Sequence, residues 1–332
     1  MSYKSPKWNN GSAPPLSAEN LQDLTDAVQE QGEALETMCN PNLLDNWYFG
    51  NPINQRGQTS YTGGGYAVDR WKIGDGVTAA VANGALNISY STPGWNLVEP
   101  LDNMLVPGVT YTLSCIYKAS VNPIRLVVAW GDSQFFYNEA SPISDDWALA
   151  QITGTIPANA TISFNQVVIQ SLGSSAGDFS LKAVKLELGS QQTLAHRENG
   201  VWVLNEIPKL GDQLAACQRY QYPLLAGKST GPIGYGYMFN KTQARFFIPT
   251  GVLMRVTPVV GFLLGSIGDL YVVSAEGRIV VSSVSVDSFI TDTGQASGVV
   301  LLCNIASELT TSAVCVLTGL SSVVRPMLDA NL

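Results

Sequence analysis

The sequence predicts a mainly β protein: an N-terminal short coiled-coil helix followed by two β-sandwich domains of jelly-roll type. Two patterns predict this. Apolar residues keep a heptad spacing within residues 16–40, and after Pro41 the period falls to two, with turn dipeptides between the runs. Length agrees, since 332 residues correspond to about two folded units. Charged residues make up 13 % of the chain, against roughly 25 % in an ordinary soluble domain. Hydrophobic residues stand at 45 %, which excludes general disorder, a state that needs low hydrophobicity and high charge.

Residues 1–15 are polar and end in Pro14-Pro15, so they read as an arm. Ser17 is a suitable helix N-cap, with Glu19 in the first turn near the positive end of the dipole. From there Leu21, Leu24, Val28, Gln31, Leu35 and Met38 follow alternating steps of three and four, an a/d seam with one polar member. Such a seam packs either on its own domain or on further copies of the chain. Its narrowness, beside an irregular arm, favours a parallel coiled coil that joins copies. Asn40-Pro41 ends the helix.

Residues 41–196 read as the first sandwich. Asn83-Gly84 between Val77–Val81 and Ala85–Tyr90 predicts a hairpin. Further strands are expected at Ile124–Trp130, Trp147–Ile156, Thr161–Leu172 and Phe179–Leu188. In the last, the apolar parity switches from Phe179/Leu181/Ala183 to Val184/Leu186/Leu188, which predicts a bulge or a change of sheet. Residues 197–212 read as a linker, with a brief helical turn expected over Gly211–Tyr220. Residues 213–332 read as a second sandwich, with a hairpin around Glu276-Gly277 and an edge or final strand containing Pro326.

Composition limits the chemistry. The net charge of −8 argues against nucleic acid, because phosphate contacts need surplus Lys and Arg. His196 is the single histidine, so a His-rich metal site is excluded and a catalytic triad has one candidate base. No metal or cofactor site is expected. Cys39, Cys115, Cys217, Cys303 and Cys315 are widely spaced and read as free buried thiols. Lys4 and Lys7 are followed by Trp8-Asn9-Asn10-Gly11-Ser12, where a signal peptide needs an apolar run. Neither export by a signal peptide nor membrane insertion is therefore expected, and synthesis in a cytoplasm is. Ala226-Gly227-Lys228-Ser229-Thr230 imitates the end of a phosphate-binding loop, but Tyr222 stands where that loop needs glycine. Asp102, Glu139 and Asp145-Asp146 could serve as a carboxylate pair for sugar hydrolysis only if their spacing in space allowed it.

The aromatics point to binding. Flat rings stack on sugar C–H faces, with Asp, Asn and Gln beside them for the hydroxyls. Trp71 reads as core. Trp95 follows Pro93-Gly94, Trp130 precedes Gly131-Asp132, and Tyr137 lies on the face opposite Phe136 if the segment is extended. Trp95, Trp130 and Tyr137 are therefore the candidate ligand-binding residues. The competing expectation for each is a place in the core or between copies.

The order of several short segments adds a resemblance. Asn42-Leu43-Leu44-Asp45-Asn46 leads to Phe49–Gly57, then Asp69-Arg70-Trp71, Pro107–Thr112, Val184–Ser190 and Cys217-Gln218-Arg219-Tyr220. With Met254–Pro258 and Leu328–Leu332, this succession resembles the tail-fibre and receptor-binding proteins of tailed bacteriophages and prophages. Their middle region is similar to carbohydrate-binding-module jelly rolls. The resemblance implies a homotrimeric, non-enzymatic virion protein, held to other virion proteins by its N-terminal arm and presenting β domains to host surface carbohydrate. It supplies no sugar-contacting or catalytic residue at a position matched here. Two alternatives stay open: a purely structural head-fibre or baseplate component, and a depolymerase, which lacks its usual repeating strand pattern here.

Overall fold

The computed structural model describes residues 21–28, 40–102, 105–224, 232–292, 295–311, 313–319 and 325–331. Residues 21–28 form a helix, α1, in which Gln22 Nε2 donates to Asp26 Oδ1 one turn on, at 2.7 Å. Leu21, Leu24 and Val28 are exposed along it. The remaining seam positions Gln31, Leu35 and Met38 lie outside the described residues, as do the arm, Ser17, Cys39 and the imitation phosphate loop.

The first β domain is a sandwich of two six-stranded sheets. Sheet one runs, in spatial order, β1 (Ser60–Thr62), β4 (Val77–Ala82), β5 (Ala85–Tyr90), β12 (Gly177–Leu188), β7 (Thr110–Ala119) and β10 (Ser144–Thr155). Sheet two runs β2 (Gly65–Tyr66), β3 (Lys72–Ile73), β6 (Trp95–Pro100), β11 (Gln166–Ser171), β8 (Ile124–Gly131) and β9 (Gln134–Tyr137). Asn83 and Gly84 both take positive φ, 56° and 70°, the conformation a two-residue hairpin between right-twisted strands requires. The parity switch in β12 is a bulge between Leu181 and Ala183 in its pairing with β7. It turns Val184 and Leu186 into the core, which Trp71, Leu97, Leu113, Leu126 and Ile169 share.

The two outer faces differ. Lys185 and Glu187 of β12 are fully buried on the outside of sheet one. A hairpin of β13 (Ala195–Glu198) and β14 (Val201–Leu204) and its flanks cover that side. Lys185 Nζ meets Glu206 Oε1 at 2.8 Å, and Glu187 accepts from Thr193 N and Oγ1. This hairpin and the helix α2 (Leu210–Gln218) occupy much of the segment 197–212 expected as linker. The outer face of sheet two buries a small apolar cluster of Val127, Ala129 and Val168 against Val98 and Phe164.

The second β domain corrects the expected sandwich. Its six strands close into a barrel in the order β16 (Pro232–Asn240), β17 (Gln243–Pro249), β21 (Gln295–Ile305), β20 (Gly277–Asp292), β19 (Leu270–Ser274) and β22 (Val314–Gly319). Three register shifts interrupt β20 against β21. Each bulge bends the strand and increases its twist, which lets a short sheet curl onto itself and lose its edges. Beside the barrel lies a three-stranded sheet of β15 (Gln221–Pro223), β23 (Arg325–Asp329) and β18 (Val259–Leu264). Here β23 is the final strand, one of the two places expected for it, and it lies in the middle of its sheet rather than at an edge. Proline is accommodated because its backbone faces the chain just past the end of β15, where Pro326 O accepts from Leu224 N at 2.9 Å and no ladder donor is needed from Pro326.

A charge-rich seam joins the two domains. The Arg70 guanidinium stacks on the Tyr220 ring at 3.5 Å, donates to Pro100 O at 2.5 Å and lies 3.4 Å from Asp45 and 3.8 Å from Glu99. Tyr220 Oη donates to Asp102, and Arg255 Nε pairs with Asp102 at 2.6 Å. Gln55 Nε2 bridges Asp69 Oδ2 and Gln221 O at 2.6 and 2.9 Å, and Asn46 N donates to Gln213 Oε1 of α2 at 2.5 Å.

Candidate functional site

The β8–β9 hairpin builds the site. Period-two alternation sends Leu126, Val128 and Trp130 inward and Val127 and Ala129 outward. Across the hairpin Phe136 pairs with Val128, and Phe135 and Tyr137 pair with Ala129 and Val127. Phe136 is therefore the inward anchor, with its ring centroid 6.0 Å from that of Trp130. Gly154 of β10 makes room for it, since a Cβ there would lie 2.5 Å from the Phe136 ring. Phe135 and Tyr137 stand outward, each 40 % exposed, with ring centroids 5.7 Å apart.

Polar groups fix this pair from one side. The Arg125 guanidinium covers one face of Tyr137 at 4.3 Å, and its Nε and Nη2 donate to Glu139 O at 3.2 and 3.1 Å. Arg125 pairs with Gln170, and Gln170 with Trp95. Tyr137 itself pairs with Val127, two residues along β8, so the path runs diagonally from Tyr137 to Arg125 and then along the row to Trp95 on β6.

Below Phe135 opens a groove of about 430 Å³, lined by Trp130, Ser133, Gln134, Phe135, Pro157, Asn159, Ala160 and Thr161. None of these lining residues is ionisable. Trp130 Nε1 is buried and has no hydrogen-bond partner among the described residues.

The predicted residues fare unequally. Trp95 is 42 % exposed at the far end of the row, and Tyr137 is exposed as expected. Trp130 is corrected: at 5 % exposure it belongs to the sandwich core, although it also lines the groove. Its period-two relation to Leu126 and Val128 is the reason. Asn96, next to Trp95 in sequence, is buried and accepts from Ser171 N at 2.8 Å, which closes a bulge between β6 and β11. Sequence reasoning missed Phe135, although it shares parity with Tyr137, and missed the 157–161 loop. The carboxylates considered for hydrolysis do not gather at the groove. Asp102 lies in the interdomain seam, and Asp145 and Asp146 stand exposed at the start of β10.

A scan against protein-family profiles finds no match, and a search of curated proteins finds none. The solved structures similar to this chain include carbohydrate-binding modules. One, titled "CBM4 structure and function", is 22 % identical at a TM-score of 0.32, over 44 % of this chain and 99 % of that one. The CBM22-1 xylan-binding domain of Paenibacillus barcinonensis Xyn10C is 16 % identical at a TM-score of 0.34, over 45 % and 96 %. The CBM22-2 xylan-binding domain of the same enzyme is 13 % identical at a TM-score of 0.31, over 37 % and 94 %.

Proposed function

We propose that this chain is a non-enzymatic attachment subunit that binds neutral host-surface glycan on the outer face of sheet two. One observation carries the reading. Two outward rings, Phe135 and Tyr137, stand beside an uncharged groove that Phe135 itself lines. Rings stack on pyranose C–H faces. Ser133, Gln134, Asn159 and Thr161 offer donors and acceptors to hydroxyls. With no ionisable side chain lining it, the groove suits an uncharged polar ligand and offers no general acid or base.

The same reading makes the chain a phage tail-fibre or receptor-binding protein. Copies would associate as a homotrimer through the exposed Leu21, Leu24 and Val28 of α1, with the arm held by other virion proteins. Weak sites then act together, because tethering raises the effective concentration of the second contact. The purely structural alternative draws support from the burial of Trp130.

An array of neutral bacterial envelope oligosaccharides separates them. The unaltered protein is expected to bind at least one. Phe135→Ala with Tyr137→Ala should weaken that binding at least about tenfold, a loss of about 1.4 kcal/mol. Both rings are substantially exposed, so the melting temperature should stay close to that of the unaltered protein. Binding that survives the double change intact would remove this face from the account.

A further inference from the structure

The barrel carries a second aromatic surface, separate from the glycan face. On β16, Ile233 and Met238 point inward, and Tyr235 and Tyr237 point outward. Tyr235 pairs with Phe247 on one side and Val316 on the other. Tyr237 pairs with Arg245 and Val314. Tyr235 is 65 % and Val314 76 % exposed, and Tyr237, Phe239 and Phe247 are each nearly half exposed. Phe247 is held flat, because Gly298 leaves open the space where a Cβ would collide with its ring. Arg245 lies over Phe239 at 4.0 Å and pairs with Asp287 at 3.1 Å, so the charge in this field is already neutralised.

We propose that this surface is an interface with a second copy of the chain. The inference deepens the assembly part of the proposed function and rests on it. Three arguments select the occupant. A closed barrel has no strand edge to lend, so a partner must meet it face to face. The five exposed side chains present about 500 Å² of apolar surface, at 150–250 Å² per fully buried aromatic. The apolar part of one partner's half of a standard interface is about 450–520 Å². The self-neutralised Arg245–Asp287 pair calls for an uncharged partner surface, which excludes an anionic membrane or nucleic acid. The chain also leaves the apolar row Leu21, Leu24 and Val28 exposed on α1. A second copy is a partner that carries a match for both surfaces at once.

Sedimentation velocity of the full chain at micromolar concentration tests this. The unaltered protein should sediment as an oligomer. Tyr235→Ser with Phe247→Ser should shift it toward monomer, with the midpoint concentration of assembly raised at least about tenfold. Unchanged circular dichroism would show that the barrel still folds. An oligomeric parent with an unmoved double variant overturns the interface and leaves the assembly reading standing. A monomeric parent overturns both, while glycan binding is judged separately on the array. A photo-crosslinking residue at position 237 of the otherwise unaltered chain covers the case of a variant that misfolds. A copy-to-copy product is expected, and its absence contradicts the proposal.

Discussion

Arg70→Met is expected to destabilise the protein by about 3–5 kcal/mol, the range for breaking a buried ion pair on one side. Glu99 is fully enclosed, and burial pushes its carboxyl well above the ordinary range, against the pull of Arg70. Asp45 is raised for the same first reason. Removing the guanidinium leaves both carboxyls without their nearest cation. It also strips the Tyr220 ring of its stacking partner and Pro100 O of its donor. Arg70→Lys should fall between, because it keeps the charge and loses the planar stack. Urea unfolding followed by tryptophan fluorescence measures the effect. The deficit of the Met variant should shrink in acid, where the orphaned carboxyls take up protons. A loss below about 1 kcal/mol would show that the seam does not hold the domains together.

The second large effect is a dependence of stability on pH, set by Asp69. This side chain is 2 % exposed. It accepts from Gln55 N and Nε2 at 3.2 and 2.6 Å and faces Arg56 at 3.6 Å. Burial outweighs these partners and pushes its carboxyl up to about 6. Between the ordinary aspartate value and that figure, the folded chain holds a proton that the unfolded chain has released. Stability therefore falls as pH rises through this window, by about 3 kcal/mol in full. About 1.3 kcal/mol of this lies between pH 5 and pH 7. Asp45 and Glu99 are raised too and act in the same direction. The comparison that isolates Asp69 is thus the slope of Asp69→Asn against the parent. The variant should lose that part of the slope. Equal slopes, or a parent more stable at pH 7 than at pH 5, would contradict the assignment.

Local rules made much of the sandwich legible. Asn83-Gly84 carried its hairpin because two left-handed residues in succession suit few other pairs. The shift between Leu181 and Ala183 was readable because a bulge inverts side-chain parity. Trp71 was readable as core from its place inside the segment Val68–Ile73, despite the charged Arg70 and Lys72 on either side. Barrel closure was not legible. It depends on where β20 slips against β21 and on β16 finding β22, a pairing that spans much of the domain. Trp130 was misjudged because the Gly131 turn beside it outweighed its period with Leu126 and Val128. Tyr137 was legible as an outward residue, and Phe135 was overlooked although the same alternation places both on one face. The groove could not be read at all, because it arises where the 157–161 loop approaches the β8–β9 hairpin. The seam was visible only as Asp69-Arg70-Trp71, with nothing nearby to announce Tyr220 or Asp102.

The central claim is that sheet two, through β9 and its groove, is the glycan-binding surface. Hydrogen exchange measured with and without the best-binding array oligosaccharide tests it most directly. Added protection should concentrate in residues 133–137 and 157–161, with the barrel unchanged. Protection confined to the barrel, or binding that leaves both segments unprotected, would contradict it.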